Sequence, residues 1–566
     1  MMKNRVLITS VSIGLAFLLI GVVLLFVRSR DVALVLVNGK VYTVNESSPL
    51  AEAIAIDGGM IIDVGSTQEI ESSYRPRRKI DLQGKVVFPG FIDSHAHLGN
   101  LGIMLENLIV YGTTSVQEVQ ALVAKQIAAR PKGSWIRGRG WDQNRWKTKS
   151  FPTVSALDAV APENPVYLTR VDGHAVWVNT RVLEIAKIDR STKDPDGGKI
   201  LRDARGNPTG VFIDNAIDML NEVLPQPTSQ ERIAAVKLAV DECLRNGLTE
   251  VHDMGVDREQ IEIYKRMIQG GTFPFRVYTA LEGKDLWEQY MNTGPEIGGY
   301  GGRLTVRALK LYADGALGSR GAALIEPYAD DPGNRGLTLT SERELRSAIQ
   351  QASDHGFQPC VHAIGDRANN IVLNVYESVL APLESGARDV RFRIEHAQVL
   401  DAADIPRFHT LGVLAVMQPA HCTSDMTWAE ERLGSRRSAG AYAWRSLLNT
   451  GTIIPGGSDF PVESPNPLWG FYAAITRQDH NGQPEGGWHP EQRMSRGEAL
   501  KAFTLWGAMA GFQERNAGSI ERGKWADLTV LSDDIMTIDP SQILSTRVVM
   551  TIVAGEVVYS TVTPAP

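Results

Sequence analysis

Between Val86 and Gly456 the chain carries eight short apolar runs, each ending in a polar cluster and most followed by a segment of helical periodicity. They cover residues 86–92, 248–251, 275–280, 304–311, 358–361, 390–394, 413–417 and 452–456. Parallel strands buried on both faces read as near-continuous apolar stretches, and VRALKLYA, RFRIEHA and VLAVMQP largely do so while turning polar at their C-terminal ends. Eight such strand and helix units are the pattern of an α/β fold closed as a (β/α)8 barrel, whose chemistry sits at the C-terminal ends of the strands.

A chain of 566 residues is longer than such a barrel needs. Some of the excess lies at the two ends. The N-terminal part, up to residue 88, alternates β-branched runs with turns at Asn38-Gly39 and Asp57-Gly58-Gly59, and residues 526–559 repeat that style around Ala554-Gly555. Residues 31–88 and 519–566 are therefore expected to pair into one small β-sandwich, leaving 89–518 as the barrel. Residues from about 99 to 230 exceed any ordinary strand-to-helix connection, so they are expected to form an inserted subdomain or lid carrying much of the substrate pocket. Its Trp135, Trp141, Trp146 and Trp177 hint at an apolar or aromatic substituent on the substrate.

Residues 6–27 are 22 in number and carry no charge; Lys3 and Arg5 precede them and Arg28 and Arg30 follow. A helix of that length crosses a bilayer core of about 30 Å. Because RSRD lacks a small-residue cleavage signal, residues 1–30 are expected to be an uncleaved N-terminal transmembrane helix, with a cleaved signal peptide as the alternative. The slight excess of positive charge before the stretch places the N-terminus inside and the catalytic domain on the extracytoplasmic, periplasmic side.

Hydrophobic residues at 43% and charged residues at 22% are ordinary globular usage. A net charge of -7 without a long basic run excludes an electrostatic nucleic-acid platform. The expected partners are a small-molecule substrate and, through the N-terminal helix, the membrane; a homodimer is open to such a chain. Three scattered cysteines, Cys243, Cys360 and Cys422, can build neither a disulfide framework nor a CxxC metal site. Any metal must be held by histidines and carboxylates.

The sharpest local signal is FPGFIDSHAH, residues 88–97. Residues two apart in a strand share a side, so His95 and His97 can reach one ion from the end of one strand. Later strand ends deliver Lys310, His362, His396 and Asp459 to the same rim. A lysine ammonium cannot ligate a cation, so Lys310 is neutral, carbamylated, or paired with Asp314 instead. A mononuclear site of His95, His97, His362 and Asp459 is the alternative to a bridged pair.

PGFIDSHAHL, KLYADGALGSR, VHAIGD, RIEHAQ and GGSDFPVESPNPL together resemble the amidohydrolase superfamily, in particular its YtcJ-like branch, which includes N-substituted formamide deformylases. The resemblance covers nearly the whole chain after the N-terminal stretch. It implies that His95 and His97 bind a first divalent metal, His362 and His396 a second, and that Asp459 lies by the first. It also implies one or two zinc ions, with Lys310 bridging as N6-carboxylysine.

The reaction expected is hydrolysis of a non-peptide amide, N-acyl or N-formyl C–N bond by metal-activated hydroxide, with Asp459 shuttling the proton. His174 in RVDGHAVWVN is a candidate catalytic stabiliser of the oxyanion. Trp141, Asp142 and Arg320 are weaker pocket candidates, and His252 is expected behind the ligands. Cyclic amidine deamination, lactone or ester hydrolysis, and an inactive membrane-tethered binding protein are the competing readings.

Overall fold

The computed structural model describes residues 29–170, 175–195, 198–225, 227–318, 320–382 and 389–561. Seven parallel strands pair in chain order: Phe91–Ala96, Leu248–Val256, Arg276–Leu281, Leu304–Tyr312, Gln358–Ala363, Arg393–His396 and Leu414–Val416. The run at 452–456 forms no strand. Pro455 lacks an N–H and two glycines follow it, so only a single parallel bridge from Met417 to Gly456 survives. Met417 N–H donates to Pro455 O and Ser94 N–H to Gly456 O, which links the seventh strand to the first and leaves a nearly closed barrel.

The run at 86–92 is two strands. Val86–Pro89 belongs to another sheet and Phe91–Ala96 to the barrel. Gly90 separates them at a point where a Cβ would lie 2.2 Å from Thr249 Oγ1, so only glycine lets the chain pass.

Val86–Pro89 is sandwiched between Lys40–Tyr42 and Leu528–Leu531, with Val548–Val553 and Glu556–Ser560 continuing the sheet. A second sheet orders Met60–Gly65, Ala53–Asp57, Arg30–Val37 and Tyr74–Asp81. Leu34, Leu36, Ile54, Val87, Leu528 and Ile552 pack into one apolar core from both sheets, so the two chain ends are held by shared burial.

Gly99–Ala239 forms a separate compact unit. Its sheet runs Gly198–Arg202, Pro208–Asp214, Ala175–Val178, Val166–Arg170, Ile136–Trp141 and Leu108–Ile109. Trp141, Trp146 and Trp177 are buried in its core with ring centroids 6.2 Å apart, and Trp141 Nε1 donates to Leu168 O at 2.8 Å. These three rings therefore pack the unit and do not line a pocket.

The expected membrane-spanning helix, and with it the membrane-anchored, periplasmic placement, is corrected. Among the described residues no helix is long and apolar enough to cross a membrane. Ser229–Arg245, at 17 residues, carries Glu231, Arg232, Lys237, Asp241, Glu242 and Arg245. The stretch 6–27 itself lies outside the described residues.

Glu250 sits fully buried on the second barrel strand, and burial pushes its carboxyl up to about 8 against the opposing pull of Arg276 and Gln513. It is thus protonated in the fold at neutral pH and ionised in the unfolded chain above about 4.5. Between those values the folded state binds the extra proton, so stability falls as pH rises, by at most of order 1 kcal/mol per pH unit. Glu250→Gln is expected to flatten that fall in thermal unfolding measured from pH 5 to 8; an unchanged slope would contradict it.

Candidate metal centre

Strand alternation places Asp93, His95 and His97 on one side of the first barrel strand and the residue after it. Asp93 is buried and accepts from Ser458 N–H at 3.1 Å, Ser458 Oγ–H at 2.6 Å and His95 N–H at 3.1 Å. Those bonds tie the strand to the loop that carries Asp459, and Asp459 N–H donates to His95 O at 2.8 Å. Gly457 makes the approach possible, since a Cβ there would lie 2.7 Å from His95 N and 2.9 Å from Asp93 Oδ1. Burial pushes Asp93 up to about 7.

Two key residues adopt left-handed backbone, Asp459 at φ +59° and His396 at φ +74°. Such conformations are uncommon for side-chain-bearing residues and persist where the surroundings hold them. Arg393 and Glu395 share one face of the sixth strand, and alternation alone would send His396 the other way. The turn at His396 and Ala397 brings its ring back, to 4.7 Å from the His95 ring.

The six side chains expected at the rim come together. His97 Nε2 is 3.1 Å and His95 Nε2 3.5 Å from Asp459 Oδ1. His95, His396 and Asp459 each offer a ligand atom within 4.8 Å of the others. Lys310 Nζ is 3.3 Å from His95 Nε2, and the His362 ring is 4.6 Å from that of His396. Asp314 does not pair with Lys310; its carboxylate accepts the backbone N–H groups of Ala323, Ile364 and Gly365.

The far nitrogens are also fixed. His95 Nδ1 faces Glu395 Oε2 at 2.5 Å and His396 Nδ1 faces Gln418 Oε1 at 2.8 Å, which turns each Nε2 toward the centre as an acceptor. Glu395 in turn accepts from Arg393 Nε–H at 2.7 Å, and Arg393 reaches Ser94 O at 2.5 Å and His252 Nδ1 at 2.9 Å. His252 therefore stands behind His95 at two removes, through Arg393 and Glu395.

Burial holds the His95 and His396 imidazoles far below their usual range and lowers His362 to about 4, so all three are neutral. Burial also pulls the Lys310 ammonium down. For Asp459 burial pushes upward, but the His97 hydrogen bond opposes it and the carboxyl is held well below its usual range. Neutral nitrogens around an ionised carboxylate suit a divalent cation, and His362 Nε2 is buried without a hydrogen-bond partner among the described residues, with Asp314 Oδ1 3.7 Å away.

His174 lies outside the described residues. Asp142 is engaged with Arg170 at 2.8 Å, and Arg320 with Asp330 at 2.7 Å. Sequence reasoning missed Glu395, Gln418 and Asp93, although RIEH and FIDSH carry the alternation that places Glu395 and Asp93 beside the ligands. His421 is likewise absent from the expected site, and its Nε2 stands 3.8 Å from Asp459 Oδ2.

A model described as "Amidohydrolase family" matches residues 78–559. The chain is 35% identical over 533 residues to the YtcJ protein of Bacillus subtilis (strain 168), covering 92% of this chain and 98% of that protein. It is 28% identical over 554 residues to the N-substituted formamide deformylase of Arthrobacter pascens, covering 94% and 99%. A structure described as an uncharacterized metal-dependent hydrolase from Pyrococcus furiosus superposes with a TM-score of 0.74 at 27% identity, over 89% of this chain and 100% of that one.

Proposed function

The chain belongs to the amidohydrolase family, as a metal-dependent hydrolase acting on carbon–nitrogen bonds, and from that premise we propose that it cleaves a non-peptide amide of N-acyl or N-formyl type. The observation that carries this reading is the convergence of His95, His396 and Asp459 at the strand-end rim, each offering a ligand atom within 4.8 Å of the others. The formamide deformylase among the relatives favours an N-formyl or N-acyl amine over the cyclic amidine and lactone readings.

In this reading His95 and His97 would hold one cation beside Asp459, and His362 and His396 would hold a second. A bound divalent cation, zinc here, supplies Lewis-acid polarisation of the carbonyl and makes water nucleophilic near neutral pH. Lys310, once carbamylated, would add an anionic ligand to the same site. Burial disfavours its ammonium and so favours the amine form, which is the form that can add to carbon dioxide with release of a proton. Asp459 accepts a proton from the attacking water and returns it to the departing nitrogen, one carboxylate serving both steps. His95 and His396, oriented by Glu395 and Gln418, keep the donor atoms in place while this happens.

Metal content by elemental analysis, with and without bicarbonate, tests the site alongside hydrolysis of a panel of N-formyl, N-acyl and cyclic amides. The expected result is two metal equivalents with bicarbonate, amine release from one of the open-chain amides, and loss of turnover on chelation. A fixed stoichiometry of one rejects the bridged pair; turnover of amidines or lactones alone rejects the amide reading.

A further inference from the structure

We propose that His421 is a catalytic residue, whose Nε2–H donates to the oxygen of the scissile carbonyl and stabilises the negative charge that develops there. The inference rests on the amide-hydrolysis reading above and adds to it a protein donor within the barrel rim itself.

Asp459 divides its two oxygens. Oδ1 faces His97 at 3.1 Å and His95 at 3.5 Å, whereas Oδ2 faces His421 Nε2 at 3.8 Å. That last separation is too long for a hydrogen bond, and Nε2 is buried with no protein partner among the described residues. A buried imidazole N–H left without an acceptor is costly unless something else fills the role, and buried orphans cluster where ligands bind. The atom stands on the Oδ2 side of the carboxylate that handles the proton, so a substrate carbonyl seated beside that oxygen would come within its reach.

The placement is held from several sides. His421 lies in the first turn of the helix Pro419–Asp425, which Gln418 leads into after the seventh barrel strand. The same Gln418 fixes His396, and the His421 and His396 rings lie parallel, 17° apart in plane and 6.2 Å between centroids. At the other end of the helix Asp425 accepts from Gln398 at 2.9 Å and from the Tyr442 hydroxyl, and Cys422 is buried beneath it. The ring is thus pre-positioned, which is what an oxyanion donor requires. His421 stands outside both pairs of ligand histidines, so its role is separable from metal binding. A neutral imidazole suffices, with the proton on Nε2.

The experiment compares metal-loaded wild type with His421→Ala and His421→Gln, the latter keeping an N–H donor of similar reach. Three quantities are measured: metal equivalents by elemental analysis, kcat and KM for release of p-nitroaniline from p-nitroformanilide and p-nitroacetanilide, and the affinity for phenylphosphinate, whose tetrahedral anion resembles the attacked carbonyl. His421→Ala is expected to keep the wild-type metal content and to lose about 10²–10³-fold in kcat with little change in KM. Phenylphosphinate affinity should fall in the same variant while substrate KM does not. His421→Gln should recover part of both losses.

Loss of metal along with activity would make His421 a ligand and overturn the proposal, as would undiminished kcat in His421→Ala or a loss confined to KM. If metal-loaded wild type turns over neither anilide, the amide reading fails and the donor fails with it. An active wild type with an unaffected His421→Ala overturns the donor alone.

Discussion

Asp459→Asn is expected to lower kcat by about 10²–10⁴-fold while the protein remains folded and its metal content is retained, the range for removing a general base and acid. Asparagine is isosteric and is among the residues that tolerate left-handed backbone best, so the φ of +59° at this position is accommodated. Its amide still offers an oxygen toward His97 and His95 but cannot take up a proton. The backbone bond to His95 O and the Asp93 contacts to Ser458 are untouched by the change. Asp459→Ala is the poorer probe, because it removes the same carboxylate and adds strain at a residue with positive φ. Steady-state rates with elemental analysis on the same sample decide the matter: near-normal kcat in a metal-replete Asp459→Asn protein would remove Asp459 from the proton path.

Glu395→Ala should produce the largest loss of stability. Glu395 and Arg393 are both completely buried, joined at 2.7 Å, and the same carboxylate holds His95 Nδ1. Removing it strands a guanidinium in the barrel interior, and breaking a buried pair from one side costs about 3–5 kcal/mol. It also frees the His95 ring to rotate and to change tautomer, which typically weakens metal affinity about 10–100-fold. Glu395→Gln keeps an acceptor for His95 but leaves Arg393 uncompensated, so it should fall between alanine and wild type in stability. Chemical denaturation, followed by metal titration of whichever variant folds, separates the two effects. Unchanged unfolding free energy in Glu395→Ala would show that solvent or another carboxylate compensates Arg393.

Local chemistry was legible in the sequence where neighbours in the chain are neighbours in space. FIDSHAH places two histidines on one side by alternation, and the apolar runs that precede Lys310, His362 and His396 mark strands because buried parallel strands read as near-continuous apolar stretches. Contacts that close across the barrel were not legible. Nothing near His95 announces that Glu395, 300 residues later, fixes its ring. His421 was passed over because its significance arises only when the seventh strand comes beside the loop of Asp459. The eighth run looked like a strand because it is apolar, but Pro455 and its glycines withhold the backbone donors a ladder needs. Trp141, Trp146 and Trp177 of the Gly99–Ala239 unit looked like pocket walls and are core, since large rings serve either purpose and burial alone distinguishes them.

The pairing of Val86–Pro89 with Leu528–Leu531 has a consequence for biosynthesis. Only Gly90 separates that strand from the one carrying His95. During translation one of its edges stays open until Leu528 has emerged, about 440 residues later, or roughly 20 to 90 s at ordinary elongation rates. The sheet that leads into the first barrel strand is thus among the last parts to be completed, and a nascent chain presents an open apolar strand edge for most of its time on the ribosome.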